Sequence, residues 1–318
     1  MSRAWTITTG SRLHFGPLAW KPSRGPDFGG WGVMLETPRT VVRVGENVAI
    51  PTRRPSQSQS RASGMLHQLL QKRPELQPLA LNVAVDEEPP AHCGFGSGTQ
   101  LALAVAAGLV SCTDGERLPA TTLAPMVGRG LRSAVGIHGF DLGGLIIDAG
   151  KQPGDAIGEL AAQLPVPADW RFVLIRPASA TGLAGEKEAA AFNELPPFSE
   201  RVTQRLRAIV FDEVLPATRD NDCSRFAAAL DDYGLLVGEA FAAAQGGVVH
   251  VAAMPIWSGL RSRGIRGVAQ TSWGPTLAAV CADPDEAEHV AAIARDFGPE
   301  IAVTVTSARN RGAEVEAN

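Results

Sequence analysis

The stretch Cys93-Gly94-Phe95-Gly96-Ser97-Gly98-Thr99-Gln100 constrains this chain more than any other. It follows Pro89-Pro90, which ends any regular pairing, and it runs into the Ala/Leu-rich segment Leu101 to Val110. A strand, a glycine turn and a helix N-terminus are the expected sequence of elements. Helix N-termini carry unpaired N–H groups and partial positive charge, so they attract phosphate. Glycine lets the backbone approach an anion with no Cβ between them. Ser97 and Thr99 add hydroxyls for the anion or for a Mg²⁺ that it carries. No Gly-Lys-Ser/Thr follows, so this is not a Walker A loop. The spacing also differs from the dinucleotide fingerprint. The competing reading is a glycine turn that merely caps a buried helix; phosphate binding by Gly94, Gly96, Ser97, Gly98 and Thr99 is the stronger of the two.

The chain has 318 residues, enough for two domains at roughly 150 residues each. Trp5 to Thr8 and Thr40 to Ile50 read as strands. Thr52 to Ser63 is polar and basic and reads as a mobile loop. Met65 to Leu70 has helical spacing. Leu79 to Asp86 alternates its larger apolar residues as a strand does. Leu118 to Arg132 reads as a helix, and Leu145 to Ile147 as a short strand among glycines. Lys151 to Asp169 is looser, and the boundary is placed there, giving domains 1–165 and 166–318. The second half reads as a strand (Arg171 to Arg176), helices (Ser199 to Phe211 and Asp222 to Ala244), an irregular stretch, a strand (Leu277 to Cys281), a helix (Pro284 to Phe297) and a strand (Ile301 to Thr306). This order suits an α+β sandwich of the split βαβ kind. The tail from Arg309 is expected to fray.

Composition excludes some functions. The net charge of −4 argues against nonspecific nucleic-acid binding, which needs a basic face. No apolar run reaches the length of a membrane span, and the start has no leader-like apolar run. The four cysteines are scattered, with no metal or redox spacing, so a reduced, cytoplasmic protein is expected. Only four lysines accompany 25 arginines, so an arginine in a pattern carries little weight here.

Pro90 to Thr99 resembles the second motif of the GHMP superfamily, Pro-x-x-x-Gly-Leu-Gly-Ser-Ser-Ala, found in small-molecule kinases of galactose, homoserine and mevalonate. The departure, Gly-Ser-Gly-Thr-Gln, is similar to a branch that is not a kinase: the β-ribofuranosylaminobenzene 5′-phosphate synthases. Ser11 to Gly16 (SRLHFG), Gly139 to Asp148 (GFDLGGLIID), Gly182 to Phe192 (GLAGEKEAAAF) and Gln270 to Thr276 (QTSWGPT) resemble further stretches of that branch, in the same order.

The resemblance implies a GHMP-type two-domain fold, with an N-terminal domain like ribosomal protein S5 domain 2 and a C-terminal ferredoxin-like sandwich. It implies a transferase that joins phosphoribosyl pyrophosphate to 4-aminobenzoate or 4-hydroxybenzoate, releasing pyrophosphate and carbon dioxide. The alternative is an ATP-dependent GHMP kinase. Mg²⁺ is the expected cofactor and small molecules are the expected partners, with no nucleic acid and no membrane. A homodimer is the commonest symmetric assembly. Breaking the bond from C1 to pyrophosphate builds negative charge on one side and positive charge on the other. Asp141, His14 and Lys187 are the catalytic candidates. Arg12 joins the loop as a phosphate ligand, because Arg12 and His14 share one face of a strand. Ser11, Gln270, Ser272 and Trp273 are substrate-binding candidates, with Trp273 read equally as a stacking platform or a packing plug. Thr99 and Asp148 are the metal candidates.

Overall fold

The computed structural model describes residues 4–50, 56–113, 115–183 and 185–318, leaving aside the side chains of residues 77–78 and 185–189. Two sheets organise the chain. Strands β1 (Ala4–Gly16) and β2 (Gly30–Gly45) form a long antiparallel hairpin. The other edge of β2 is shared by β3 (Asn82–Glu87), along Val41 to Gly45, and β4 (Leu145–Asp148), along Gly30 to Val33. β5 (Leu160–Leu164) extends the sheet beyond β4. β3 starts later than its apolar alternation suggests, because Ala80 turns the chain with φ +46°.

Helices α1 (Gln57–Gln71), α2 (Ser97–Thr113), α3 (Ala120–Met126) and α4 (Val135–Leu142) cover one face of this sheet. α2 is apolar all round and buried from Gln100 to Cys112, as a helix enclosed on every side must be. Gly108 lets it press onto the sheet: a Cβ there would sit 2.5 Å from Val44. α2 therefore projects its N-terminus, the glycine loop, to one edge of the sheet.

Two expectations fail here. Ser56 caps α1 by accepting from the Gln59 N–H at 3.0 Å, so most of the polar stretch to Ser63 is helical; residues 51–55 lie outside the described ones. Gln59 also fastens α1 to β3, donating to the Val83 carbonyl at 2.8 Å and accepting from Val85 N–H at 2.9 Å. The helix expected over Leu118 to Arg132 is only α3. Gly128 (φ +65°) and Gly130 (φ +94°) turn the chain out of the helix, and Val127 to Ala134 form a loop.

The second sheet runs β7 (Val268–Gln270), β8 (Leu277–Cys281), β6 (Arg171–Pro177), β9 (Ile301–Thr306), all antiparallel. In chain order this is 2-3-1-4, the ferredoxin-like arrangement expected. α5 (Gly185–Glu194), α6 (Glu200–Ala208), a π-helical turn over Ile209–Val214, α7 (Leu215–Arg219) and α8 (Cys223–Gln245) lie between β6 and β7. α9 (Met254–Ser262) fills the stretch expected to be irregular, and α10 (Pro284–Arg295) precedes β9. Phe172 and Leu174 of β6 pack toward α8, while Val173 and Ile175 pack toward α9 and α10. Both faces of the sheet are thus covered.

The two sheets share one core. Trp31 of β2 meets Phe226 and Tyr233 of α8 edge-on, at 5.8 and 5.5 Å between ring centroids. The Tyr233 hydroxyl lies 2.9 Å from the Pro17 carbonyl, just past β1. The first sheet draws its first five strands from residues 4–164 and the second its four from 171–306, and the last strand crosses back. β10 (Glu314–Ala317) returns to the first sheet and pairs with Trp5 to Thr8 of β1. The tail is therefore not frayed. Arg309 is buried and ion-paired to Glu36 (3.1 Å) and Glu314 (3.3 Å).

Candidate active site

Three of the segments singled out in the sequence meet beside a cavity of about 510 Å³. The Arg12 N–H donates to the Phe95 carbonyl at 3.0 Å, and the Ser272 N–H donates to the His14 carbonyl at 2.7 Å. The Thr271 hydroxyl accepts from the His14 N–H at 3.0 Å and donates to the Gly94 carbonyl at 2.9 Å. The Arg12 guanidinium reaches the Ser272 hydroxyl at 3.2 Å. The strand alternation works as expected: Arg12 and His14 line the cavity. Ser11 does not, because its hydroxyl is buried on the Pro38 carbonyl on the other side.

The loop residues Gly94 to Thr99 form one wall. Gly94 has φ +87°, and a Cβ there would lie 2.5 Å from the Thr271 carbonyl oxygen. Gly96 has φ +66° and faces the Arg12 side chain, 3.1 Å from where its Cβ would stand. A Cβ on Gly98 would be 2.9 Å from the Arg61 guanidinium and 3.6 Å from that of Arg129. Arg132 lines the same cavity. Four guanidinium groups and a helix N-terminus thus surround one space, and among the described residues no carboxylate lines it.

Another part of the lining is aromatic. Trp273 stacks on Phe241 at 4.6 Å and meets Phe192 edge-on at 5.1 Å. The Arg132 guanidinium sits 5.0 Å over the Phe192 ring. Phe241 stacks on the Trp273 ring and only 3% of the residue is exposed, so Trp273 is part of a packed wall rather than an open platform.

Two proposed roles for carboxylates are corrected. Asp148 is wholly buried and spends its oxygens on the N–H groups of Ala134 (2.6 Å) and Gly150 (2.9 Å) and on the Ser133 hydroxyl. It does not reach the cavity to ligate a metal. Asp141 accepts from the Ala120 N–H at 2.7 Å and ties α4 to the start of α3; burial raises its pKa, but it does not line this cavity. Gln270 braces its own loop, bonding His250 N–H (2.5 Å), Gln245 (2.9 Å) and the Ser272 carbonyl (3.1 Å), outside the cavity lining. The Lys187 side chain lies outside the described residues.

Mg²⁺ is the cofactor that the resemblance leads one to expect. Mg²⁺ is usually held by one or two carboxylates together with substrate phosphates. Among the described residues no group of three or more His, Cys, Asp or Glu side chains could hold a metal ion. The oxygen side chains that the described lining offers are the hydroxyls of Ser97, Thr99, Ser133 and Ser272 and the Gln57 amide, with no carboxylate. These residues do not build a metal site by themselves.

His14 forms the floor. Its Nε2 lies 3.1 Å from the Ser133 hydroxyl. Burial, then Arg12 and Arg132, lower its pKa well below the ordinary histidine value, so the imidazole is neutral near pH 7. Sequence reading missed Arg61, Arg129, Arg132, Ser133, Phe192 and Phe241 as lining residues. The arginines carried no signal against so arginine-rich a background; Thr271 lay inside a recognised stretch but was not singled out.

No family model matches the chain. It is 29% identical to the β-ribofuranosylphenol 5′-phosphate synthase of Methanothermobacter thermautotrophicus, over 96% of this chain and 97% of that one. The synthase of the same name from Archaeoglobus fulgidus is 27% identical, over 98% and 99%. The chain is a relative of these synthases. It is an enzyme of that synthase-like transferase kind. Its fold is the GHMP one: a homoserine kinase from Cytophaga hutchinsonii superposes with TM-score 0.64 at 14% identity, covering 98% of this chain and 97% of that one. A mevalonate diphosphate decarboxylase from Staphylococcus aureus gives TM-score 0.69 at 13% identity, covering 99% and 98%.

Proposed function

We propose that this synthase relative condenses phosphoribosyl pyrophosphate with 4-aminobenzoate or 4-hydroxybenzoate, releasing pyrophosphate and carbon dioxide on the way to methanopterin-type cofactors. The observation that carries this reading is the make-up of the cavity lining. It joins the α2 N-terminus, Arg12, Arg61 and Arg129 with an aromatic cluster of Phe192, Phe241 and Trp273. A polyphosphate suits the first group and an aryl ring the second.

Departure of pyrophosphate transfers charge to its oxygens. The loop N–H groups and the guanidinium groups are fixed in place to receive that charge, which lowers the barrier without reorganisation. The sugar cation is then taken by the electron-rich carbon that bears the acceptor's carboxylate, and that carbon loses carbon dioxide. Mg²⁺ belongs to this reading as a companion of the substrate's phosphates. A structure of the same fold, MDDEF in complex with MVAPP, AMPPCP and magnesium, carries that ion (TM-score 0.69, 14% identity). Among the described residues no helix is long and apolar enough to cross a membrane. A cytoplasmic enzyme acting on small molecules, as a homodimer, completes the reading.

The test uses carboxyl-labelled 4-aminobenzoate and 4-hydroxybenzoate with phosphoribosyl pyrophosphate and Mg²⁺. Labelled carbon dioxide and pyrophosphate are expected. No labelled gas from either acid, alongside ADP formed from ATP with a small alcohol, would replace this reading by the kinase one.

A further inference from the structure

Behind the cavity floor lies a chain of polar groups that phosphate binding alone does not call for. The Ser133 hydroxyl meets His14 Nε2 at 3.1 Å and the Val135 N–H at 3.2 Å, and it stands beside the Asp148 carboxyl, whose pKa it lowers. Asp148 accepts from the Ala134 and Gly150 N–H groups, which favour the carboxylate, while burial, the larger influence, raises its pKa. A serine hydroxyl has one proton and two lone pairs. The Ser133 proton goes to Asp148, because a carboxylate can only accept. One lone pair takes the Val135 N–H. The remaining lone pair takes a proton from His14, so Nε2 carries the hydrogen and Nδ1 is the atom that gains or loses one. Gly30 keeps this contact close: a Cβ there would lie 2.7 Å from Nε2.

We propose that His14 takes up a proton at Nδ1 when a polyphosphate enters the cavity, and delivers it to pyrophosphate as the bond to C1 breaks, with Ser133 and Asp148 as its positioning residues. This rests on the synthase reading above. The charged groups around His14 are Arg12 on its own strand, Arg132 in the loop before α4, and Asp148 on β4 behind Ser133. In the ligand-free cavity burial, and then the two arginines, oppose a charge on His14. A bound polyanion offsets the arginines' part of that opposition and favours the imidazolium by its own charge. In the reaction the electron pair of the C1–O bond goes to the leaving oxygen. The Nδ1 proton goes with it, so pyrophosphate departs with one added proton and His14 returns to neutral. The acceptor ring carbon bonds to C1. Its bond to the carboxylate breaks to release carbon dioxide, and that electron pair restores the ring. No further reactant is required.

Calorimetry of inorganic pyrophosphate binding at pH 7, in buffers of different ionisation enthalpy, reads the proton directly. Wild type is expected to take up more protons than H14Q, with S133A in between; pyrophosphate's own titration is common to all three and cancels. H14Q is expected to lose roughly 10²–10⁴-fold in kcat, the usual worth of a general acid. S133A removes one hydroxyl only, and is expected to move the pH profile of kcat while KM for the pyrophosphate substrate stays. Equal proton uptake by wild type and H14Q would overturn the proposal even if labelled carbon dioxide is formed. Absence of labelled carbon dioxide would remove the synthase reading, and with it the delivery step, while the binding-linked uptake is still decided by the calorimetry.

Discussion

Thr271 and Gly94 stand 177 residues apart in the chain, yet the Thr271 hydroxyl donates to the Gly94 carbonyl at 2.9 Å while accepting the His14 N–H at 3.0 Å. One buried hydroxyl therefore locks the glycine loop to β1 and to the loop after β7. Thr271→Val keeps the volume and removes both bonds. Each buried group left unsatisfied costs about 1–3 kcal/mol. A melting temperature several degrees lower, with a raised KM for the phosphate substrate, is expected. An unchanged melting curve would show that this hydroxyl does not hold the segments together.

Two neighbouring glycines are expected to fail in different ways. At Gly96 a side chain would point at Arg12, with the nearest guanidinium nitrogen 3.1 Å from the new Cβ. Gly96→Asp places a carboxylate where the substrate's anion belongs, and should abolish pyrophosphate binding in calorimetry while circular dichroism stays native. At Gly94 a Cβ would lie 2.5 Å from the Thr271 backbone oxygen, and no side-chain rotation relieves that. Gly94→Ala should instead lower stability, seen as an earlier urea midpoint.

Arg12→Gln removes a charge-assisted contact, worth about 1.5–3 kcal/mol. Pyrophosphate affinity is expected to fall roughly 10–150-fold. The wild-type affinity should also weaken as salt is raised from about 50 to about 500 mM, because the cavity is open to solvent and several guanidinium charges act together. Affinity indifferent to both changes would place the anion elsewhere.

His14 makes stability depend on pH. Its folded pKa lies below the ordinary histidine value of 6.5, mainly through burial. Above that value both folded and unfolded chains leave it neutral, and it contributes no slope. As pH falls below 6.5 the unfolded chain binds a proton that the folded cavity refuses, so stability is lost. Melting temperatures measured from about pH 7.5 down to about pH 5.5 should drop more steeply for wild type than for H14Q.

Arg309→Ala leaves Glu36 and Glu314 without their buried cation. Because both carboxylates keep contact with water, the cost should sit near the lower end for a broken buried pair, about 2–4 kcal/mol. Chemical denaturation measures it, and a change under about 0.5 kcal/mol would mean the tail is held by its strand pairing alone.

The fold could be read from the sequence where local patterns were strong. β8 and β9 fall at the bounds expected, Leu277–Cys281 and Ile301–Thr306, and α10 starts at Pro284 behind the Asp283 cap. The tail could not be read, because nothing local in Glu314 to Ala317 signals a partner at the other end of the chain. The glycine loop, Arg12 and His14 were legible because glycine spacing and strand alternation are local. The opposite outcome befell Asp148 and Asp141. A sequence shows a carboxylate but not the backbone N–H groups that consume it, and those come from Ala134, Gly150 and Ala120. Arg61, Arg129 and Arg132 enter the cavity from α1 and from the loop after α3. Their significance is convergence in space, which no single stretch displays.

The return of β10 to β1 has a consequence for how the protein is made. β1 carries Arg12 and His14, and its outer edge at Trp5 to Thr8 is paired with β10. A ribosome adds about 5–20 residues per second, and roughly 150 residues separate β5 from β10, so that edge waits some ~8–30 seconds for its partner. An open strand edge invites pairing with other chains. During synthesis the newborn first sheet is thus the part of the molecule most in need of a chaperone.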